Sequence, residues 1–179
     1  MRPLVLLFLC SCYVPGPLAP NTDRLGRPVR IHDGFGFRCS GVLVEDELVL
    51  TAYHCLFADM AVEGLDVESF GQPWSGVDAA LVAVPGLHGR LAERATEPVS
   101  REAELLLFGF GRTHGESLDI RQGSIESFWN DQIYVDAPAF PGDSGGPVFV
   151  DEKLVGIVRA KTVDEGTAVI QTLPLTSTW

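Results

Sequence analysis

The sequence predicts an all-β fold, either a barrel or a sandwich of short antiparallel strands. Short apolar or alternating segments recur along the chain with Gly or Pro between them, a pattern typical of all-β domains. Only residues 87–103 have a spacing that would allow a turn or two of helix, and Pro98 ends that option. With 179 residues the chain is long enough for one core, and a double barrel of short strands would count as one unit.

The first predicted strands form a hairpin followed by a third strand. Residues 29–32 and 35–44 alternate or are apolar, and an Asp-Gly dipeptide between them is a strong hairpin signal. The charged residues 45–47 then turn the chain into the apolar run 48–50. The later predicted strands are bounded by Gly or Pro. They are 78–84, 104–109, 122–128, 132–136, 147–150, 153–158 and 167–172.

The N-terminal segment predicts export. Residues 1–11 are expected to be an export signal because a basic residue precedes six apolar residues, just short of the usual run. Cys12 follows a sequence similar to the bacterial lipobox and would then be lipidated, with plain secretion or a mis-chosen start codon as alternatives. Residues 12–27, rich in Pro, Gly and polar side chains, are expected to be a tether.

Composition restricts the classes of partner. The net charge of −11 and the isoelectric point near 4.6 argue against a nucleic-acid partner. No apolar run is long enough for a membrane-spanning helix, so we expect membrane contact only through a lipid anchor. No Cys and His spacing suits zinc, and residues 109–111 are too short for a nucleotide loop. We therefore expect no cofactor and no metal, and a monomer.

Residues 141–147, Pro-Gly-Asp-Ser-Gly-Gly-Pro, are the most informative segment of the chain. Three glycines around one serine predict a tight turn whose backbone N–H groups stay open. The N–H groups of Gly142 and Ser144 are close enough in sequence to converge on one oxygen, as stabilisation of an oxyanion requires. This turn predicts an exposed serine nucleophile, which needs a base beside it.

A base and an acid occur earlier in the chain. His54 follows the apolar run 48–52, and Asp78 immediately precedes the apolar run 79–84. A lone serine in a glycine-rich turn or a lone histidine beside a strand is usually structural. The three together, each next to a strand, favour catalysis over that alternative.

In these segments the chain resembles the trypsin-like serine peptidases. The family's L-T-A-A-H-C, D-I-A-L and G-D-S-G-G-P boxes correspond here to L-T-A-Y-H-C at 50–55, D-A-A-L at 78–81 and G-D-S-G-G-P at 142–147, in the same order. F-G-F-G-R-T at 108–113 resembles the turn that opens the family's second barrel. Because His54 and Asp78 lie only 24 residues apart, the chain looks like a compact member of the family. We expect it to be a bacterial one.

The resemblance implies two perpendicular six-stranded antiparallel β-barrels with the active site in the cleft between them. The peptidase domain would comprise residues 28–179, with barrel one at about 28–86 and barrel two at about 104–172. The histidine and aspartate boxes would then lie on the first barrel, and the serine box on the second.

The resemblance also implies a serine endopeptidase that hydrolyses proteins or peptides through an acyl-enzyme. His54 would accept the proton of Ser144, Asp78 would orient the imidazole, and the N–H groups of Gly142 and Ser144 would form the oxyanion hole. A disulfide would join Cys39 to Cys55, implying an exported protein that is secreted, periplasmic or lipid-anchored. Two free thiols in a cytosolic protein are the alternative.

Asp143 has its own expected role. In activatable members of the family its equivalent pairs with an N-terminal amine released by cleavage. Here Ile31 lies only eight residues before Cys39, too close for an activation peptide. We therefore predict no zymogen cleavage and an internal partner for Asp143, either Arg112 or Arg121.

The specificity pocket is where the chain departs from the family. The family's specificity position corresponds to Pro138, followed by Ala139, so no acid is present to bind Lys or Arg. Arg159 and Lys161 replace small or flat residues on the opposite wall. They could point outward, block the pocket, or select an acidic side chain. A blocked pocket would make the chain a weak or inactive peptidase-fold binding or regulatory protein, the rival hypothesis.

Overall fold

The structure is a computed structural model that describes residues 25–162, 166–175 and 179. The export signal predicted for residues 1–11, the lipidation of Cys12 and most of the tether predicted for 12–27 lie outside the described residues. Within the described ranges, no helix is long and apolar enough to cross a membrane.

The first half of the chain forms a seven-stranded antiparallel sheet. Its strand order is β5-β4-β1-β2-β3-β7-β6. The strands are β1 (Pro28–Asp33), β2 (Gly36–Glu45), β3 (Leu48–Thr51), β4 (Ala61–Val62), β5 (Leu65–Asp66), β6 (Ser69–Gly71) and β7 (Ala80–Ala83). The edge strands β5 and β6 are two and three residues long and exposed, so the sheet wraps round as a half-barrel without closing.

The second half closes into a six-stranded antiparallel barrel, in the order β10-β13-β12-β11-β8-β9. Its strands are β8 (Glu104–Gly109), β9 (Asp119–Trp129), β10 (Gln132–Pro138), β11 (Pro147–Val150), β12 (Lys153–Lys161) and β13 (Thr167–Thr172). Pairing of β9 with β10 completes the ring. The predicted all-β double-barrel class is confirmed, with one barrel fully closed.

The strands predicted from alternation are present, whereas β4, β5 and β6 were not predicted. These three carry few buried apolar side chains, so no hydrophobic period marks them. Residues 87–103 form no helix. Their backbone N–H groups instead donate hydrogen bonds to both halves of the molecule. The N–H of Ala92 donates to the carbonyl of Leu43 at 2.9 Å, and that of Ala95 to Leu154 at 2.9 Å.

The halves share apolar contacts at their junction. Phe108 and Phe149, both on the closed barrel, belong to the same buried cluster as the first sheet. Their rings meet edge to face with centroids 5.4 Å apart. A second cluster, including Leu105 and Ile133, fills the closed barrel. Packing at the junction fixes the facing ends of the two halves, where the site lies.

Cys39 on β2 and Cys55 after β3 form a disulfide, as the resemblance implies. The alternative of two free thiols is therefore wrong. Disulfides of this kind are typical of proteins that fold in an oxidising compartment.

Candidate active site

His54 lies in a single 3₁₀ turn, Tyr53–Cys55, directly after β3. The disulfide ties this turn to β2 through the neighbouring Cys55. Cys55 is buried, whereas the His54 side chain is about half exposed, at 46%. The imidazole is thus held on a rigid base while one edge faces solvent.

Asp78 is brought to His54 by strand pairing. Thr51 on β3 pairs with Ala80 on β7, so the residues just beyond these strand ends lie side by side. The His54 backbone N–H donates to Asp78 Oδ1 at 3.1 Å, and His54 Nδ1 lies 2.8 Å from Asp78 Oδ2. Because a carboxylate only accepts, Nδ1 is the donor in this pair, and in the neutral imidazole the free lone pair then lies on Nε2.

The surroundings of Asp78 keep it ionised. Desolvation by burial acts to raise the pKa of Asp78, but the hydrogen bonds and charge of His54 and the charge of Arg159 outweigh it. The net pKa lies below the ordinary value of 3.8. Asp78 therefore carries a negative charge at neutral pH.

The turn that carries Ser144 docks on the first sheet. Gly145 has a φ of +81°, and a Cβ there would lie 2.1 Å from Thr51 Oγ1, so only glycine fits. The Ser40 N–H donates to the Ser144 carbonyl at 2.8 Å, and the Ser40 hydroxyl to the Gly142 carbonyl at 2.8 Å. These contacts hold the serine of one half against the strands that carry His54 and Asp78.

Two N–H groups of the turn remain open. Asp143 N–H donates to the Phe140 carbonyl at 3.0 Å and Gly145 N–H to the Val158 carbonyl at 2.7 Å. The alternate N–H groups, those of Gly142 and Ser144, donate to no acceptor in the described part of the chain. Gly142 has a φ of +100°, a conformation that glycine permits. The turn thus offers two adjacent donors for an anionic oxygen.

Asp143 is fully buried and anchors the turn from behind. Its Oδ2 lies 2.6 Å from Arg121 Nη1, and its Oδ1 accepts the Gly111 N–H at 2.9 Å. The predicted internal partner of Asp143 is thus confirmed as Arg121. Arg112, the other candidate, lies near Asp119, with 3.7 Å between Nη1 and Oδ1. The absence of zymogen cleavage stays a prediction.

Arg159 is the site residue whose contacts the sequence reasoning missed. Its Nε lies 3.4 Å from Asp78 Oδ2, and its carbonyl accepts a long hydrogen bond of 3.4 Å from the Ser144 hydroxyl. The pairing of β12 with β13 shifts register between Val158 and Ala160, a bulge that can re-aim a side chain. Arg159 thus joins the two halves of the site.

The Ser144 hydroxyl makes no hydrogen bond to His54 within the described residues, because it is turned toward the Arg159 carbonyl. A serine hydroxyl moves between staggered positions by rotation about one bond. Catalytic hydrogen bonds are often long or unformed when no substrate is bound.

A cavity of about 90 Å³ lies beside Ser144. Of the four residues predicted for a specificity pocket, Ala139 and Lys161 line it. Pro138 instead offers its carbonyl to Arg121 Nη1 at 2.6 Å, and the Arg159 side chain turns to Asp78. In the described ranges no group of three His, Cys, Asp or Glu side chains could hold a metal ion.

Comparison with known proteins identifies the architecture. The family described as "Trypsin-like peptidase domain" matches residues 39–157, more than half of the chain. No curated protein sequence matches.

Solved structures are similar over most of their length. The Rv3671c protease of M. tuberculosis in an inactive form has a TM-score of 0.71 at 20% identity, covering 89% of this chain and 86% of that one. Kallikrein-related peptidase 10 in complex with Zn²⁺ has a TM-score of 0.70 at 21% identity, covering 87% and 93%. Neuropsin from mouse brain has a TM-score of 0.70 at 19% identity, covering 81% and 88%. At these identities the likeness shows the fold.

Proposed function

The chain belongs to the trypsin-like serine peptidase family, and from this premise we propose that it is a serine endopeptidase acting through an acyl-enzyme. The observation that supports the proposal most is the oriented His54–Asp78 pair, 2.8 Å from nitrogen to oxygen. Ser144 lies on the facing turn, and its own N–H and that of Gly142 are the two open donors. These are the parts of an activated nucleophile with an oxyanion hole.

In the proposed acylation step, the Ser144 hydroxyl rotates toward His54 Nε2 and gives it a proton. Its oxygen bonds to the carbonyl carbon of the substrate peptide, and the carbonyl oxygen becomes an oxyanion held by the Gly142 and Ser144 N–H groups. The imidazolium then protonates the leaving amine as the C–N bond breaks. Asp78 keeps the imidazole in its tautomer and stabilises its positive charge.

Deacylation repeats these steps with water. His54 takes a proton from water, the hydroxide bonds to the acyl carbon, and the tetrahedral species collapses with release of the carboxylic acid. The proton returns to the Ser144 oxygen. One water molecule is consumed, and its hydroxide and proton end on the released acid and on the Ser144 oxygen.

Labelling with a fluorophosphonate probe tests the proposal. The wild-type chain is expected to gain one phosphonyl adduct on Ser144, detected by mass spectrometry, and Ser144→Ala is expected to gain none. The Ser144→Ala protein is the matched control, since it loses one oxygen atom at a half-buried position. Absence of labelling in the wild type would favour the rival function, a peptidase-fold binding or regulatory protein. The Ser144–Arg159 hydrogen bond is the observation that favours this rival.

Arg159 is expected to slow the acylation step. Its cation lies 3.4 Å from the Asp78 carboxylate and opposes the positive charge that His54 acquires in the transition state. We expect Arg159→Ser to raise kcat/KM at neutral pH by about threefold, because this opposing charge is then removed. Arg159→Lys keeps the charge and is expected to retain the wild-type kcat/KM. An unchanged or lower kcat/KM in Arg159→Ser would contradict this role.

A further inference from the structure

The cavity beside Ser144 has the position of a binding site for one substrate side chain. Its volume of about 90 Å³ is below the roughly 300–1,000 Å³ of sites that enclose a whole small ligand. Ser144 is part of its wall, so a side chain bound there would belong to the residue whose carbonyl the serine attacks. The lining residues are Ala139, Phe140, Pro141, Ser144, Val158, Ala160 and Lys161.

Among the described residues that line this cavity, one side chain is charged. That side chain is Lys161, and none of the described lining residues is a carboxylate. Two other cations lie close by, but both are bound to carboxylates: Arg121 to Asp143 and Arg159 to Asp78. Lys161 is exposed and forms no ion pair with any residue in the described ranges. Within the described part of the chain, the positive charge at this cavity therefore has no carboxylate partner.

The walls of the cavity restrict which substrate side chains can reach Lys161. Ala139 and Val158 are buried and apolar, and they suit the short aliphatic stem of an acidic side chain. Lys161 is exposed and lines the cavity, so a substrate carboxylate bound there would meet a cation. A lysine or arginine of the substrate would meet a like charge, with no acid among the described lining residues to bind it.

We propose that this enzyme cleaves peptides after Asp or Glu, and that Lys161 is the residue that selects them. The inference rests on the proposed function, because it concerns the side chain that precedes the bond attacked by Ser144. Of the three fates that the sequence leaves open for the two cations, it assigns acid selection to Lys161 alone. Arg159 is already paired with Asp78.

Internally quenched peptides that differ at one position test the selectivity. The variable residue is Glu, Asp, Gln or Lys, and the cleaved bond is identified by mass spectrometry. We expect kcat/KM for the better acidic peptide to exceed that for Gln by about tenfold, as for a partly desolvated ion pair. The Lys peptide is expected to be the poorest, and the Glu-to-Gln ratio to fall as ionic strength rises.

Variants of Lys161 assign the selectivity to its charge. Lys161→Met keeps the length but removes the charge, and should reduce the Glu-to-Gln ratio of kcat/KM to about one. Lys161→Arg should keep the preference. The matched control is Lys153→Met, which removes the chain's other lysine from the same strand. Lys153 is paired with Glu93, so this control should leave the ratio unchanged.

Three outcomes separate the hypotheses. A preference for acid that disappears in Lys161→Met supports the inference. Equal cleavage of the Glu and Gln peptides, or a preference that persists in Lys161→Met, overturns it, while labelling of Ser144 by a fluorophosphonate would keep the proposed function intact. If the wild-type chain is neither labelled nor active on any of the peptides, the proposed function fails and this inference fails with it.

Discussion

Ser144→Ala is expected to lower kcat by about a million-fold, and His54→Ala by a similar factor, because nucleophile and base act as one unit. The double variant is then expected to lose no more than either single one. Asp78→Asn should lower kcat by about ten-thousand-fold, since the amide can donate to Nδ1 and hold the imidazole in the wrong tautomer. The measurement is kcat on a cleaved peptide, with circular dichroism and thermal unfolding of each variant as the control for folding.

The double variant tests whether His54 and Ser144 act together or independently. Independent contributions of His54 and Ser144 would multiply, so the double variant would be far slower than either single one. Residual activity above the uncatalysed rate is expected in all the variants, because the open N–H groups of the turn remain. A Ser144→Ala protein with near wild-type activity would exclude the acyl-enzyme.

Arg121→Met is expected to destabilise the protein by about 3–5 kcal/mol, because it leaves the buried charge of Asp143 without its cation. The Asp143 carboxylate is fully buried and its Oδ2 lies 2.6 Å from Arg121 Nη1. Arg121 also holds the Pro138 carbonyl at 2.6 Å. The loss is therefore expected to disorder the turn that presents Ser144, so that kcat falls along with the free energy of unfolding.

Urea unfolding measures the stability of this variant, and fluorophosphonate labelling reports on the turn in the fraction that remains folded. The matched control is Arg112→Met. Arg112 is exposed, and its ion pair is a long one, with 3.7 Å between Nη1 and Asp119 Oδ1. That variant is expected to change stability by no more than about 0.5 kcal/mol. The double variant Arg121→Met with Asp143→Asn should recover part of the loss, since no buried charge is then unpaired. Equal stability of Arg121→Met and wild type would show that the buried pair does not anchor the turn.

The arrangement of Arg159 and Lys161 illustrates how two similar side chains on one strand can have separate roles. They are two residues apart on β12, yet the bulge between Val158 and Ala160 lies at Arg159. Arg159 reaches Asp78, and Lys161 borders the cavity. Substitution of Arg159 is therefore expected to change kcat/KM for every peptide, whereas substitution of Lys161 is expected to change the preference between peptides.

The sequence by itself determined the strand pattern, the disulfide through its resemblance, and the positions of His54, Asp78 and Ser144 next to strand ends. Short stretches of sequence are enough to predict the strands and the turn. Alternation with a period of two indicates a half-buried strand, and clustered glycines indicate a turn with open N–H groups. The resemblance, together with the short distance from Ile31 to Cys39, restricted the expected partner of Asp143 to two arginines.

Only the tertiary structure decided which arginine that is, that Arg159 pairs with Asp78, and that the first sheet stays open at β5 and β6. Long, flexible cations have many rotamers, and their partners depend on which distant strands lie beside them. A bulge that re-aims one side chain and edge strands of two or three exposed residues leave no periodic signal in the sequence. The backbone path was therefore predictable from local patterns, whereas the pairing of charges required the assembled fold.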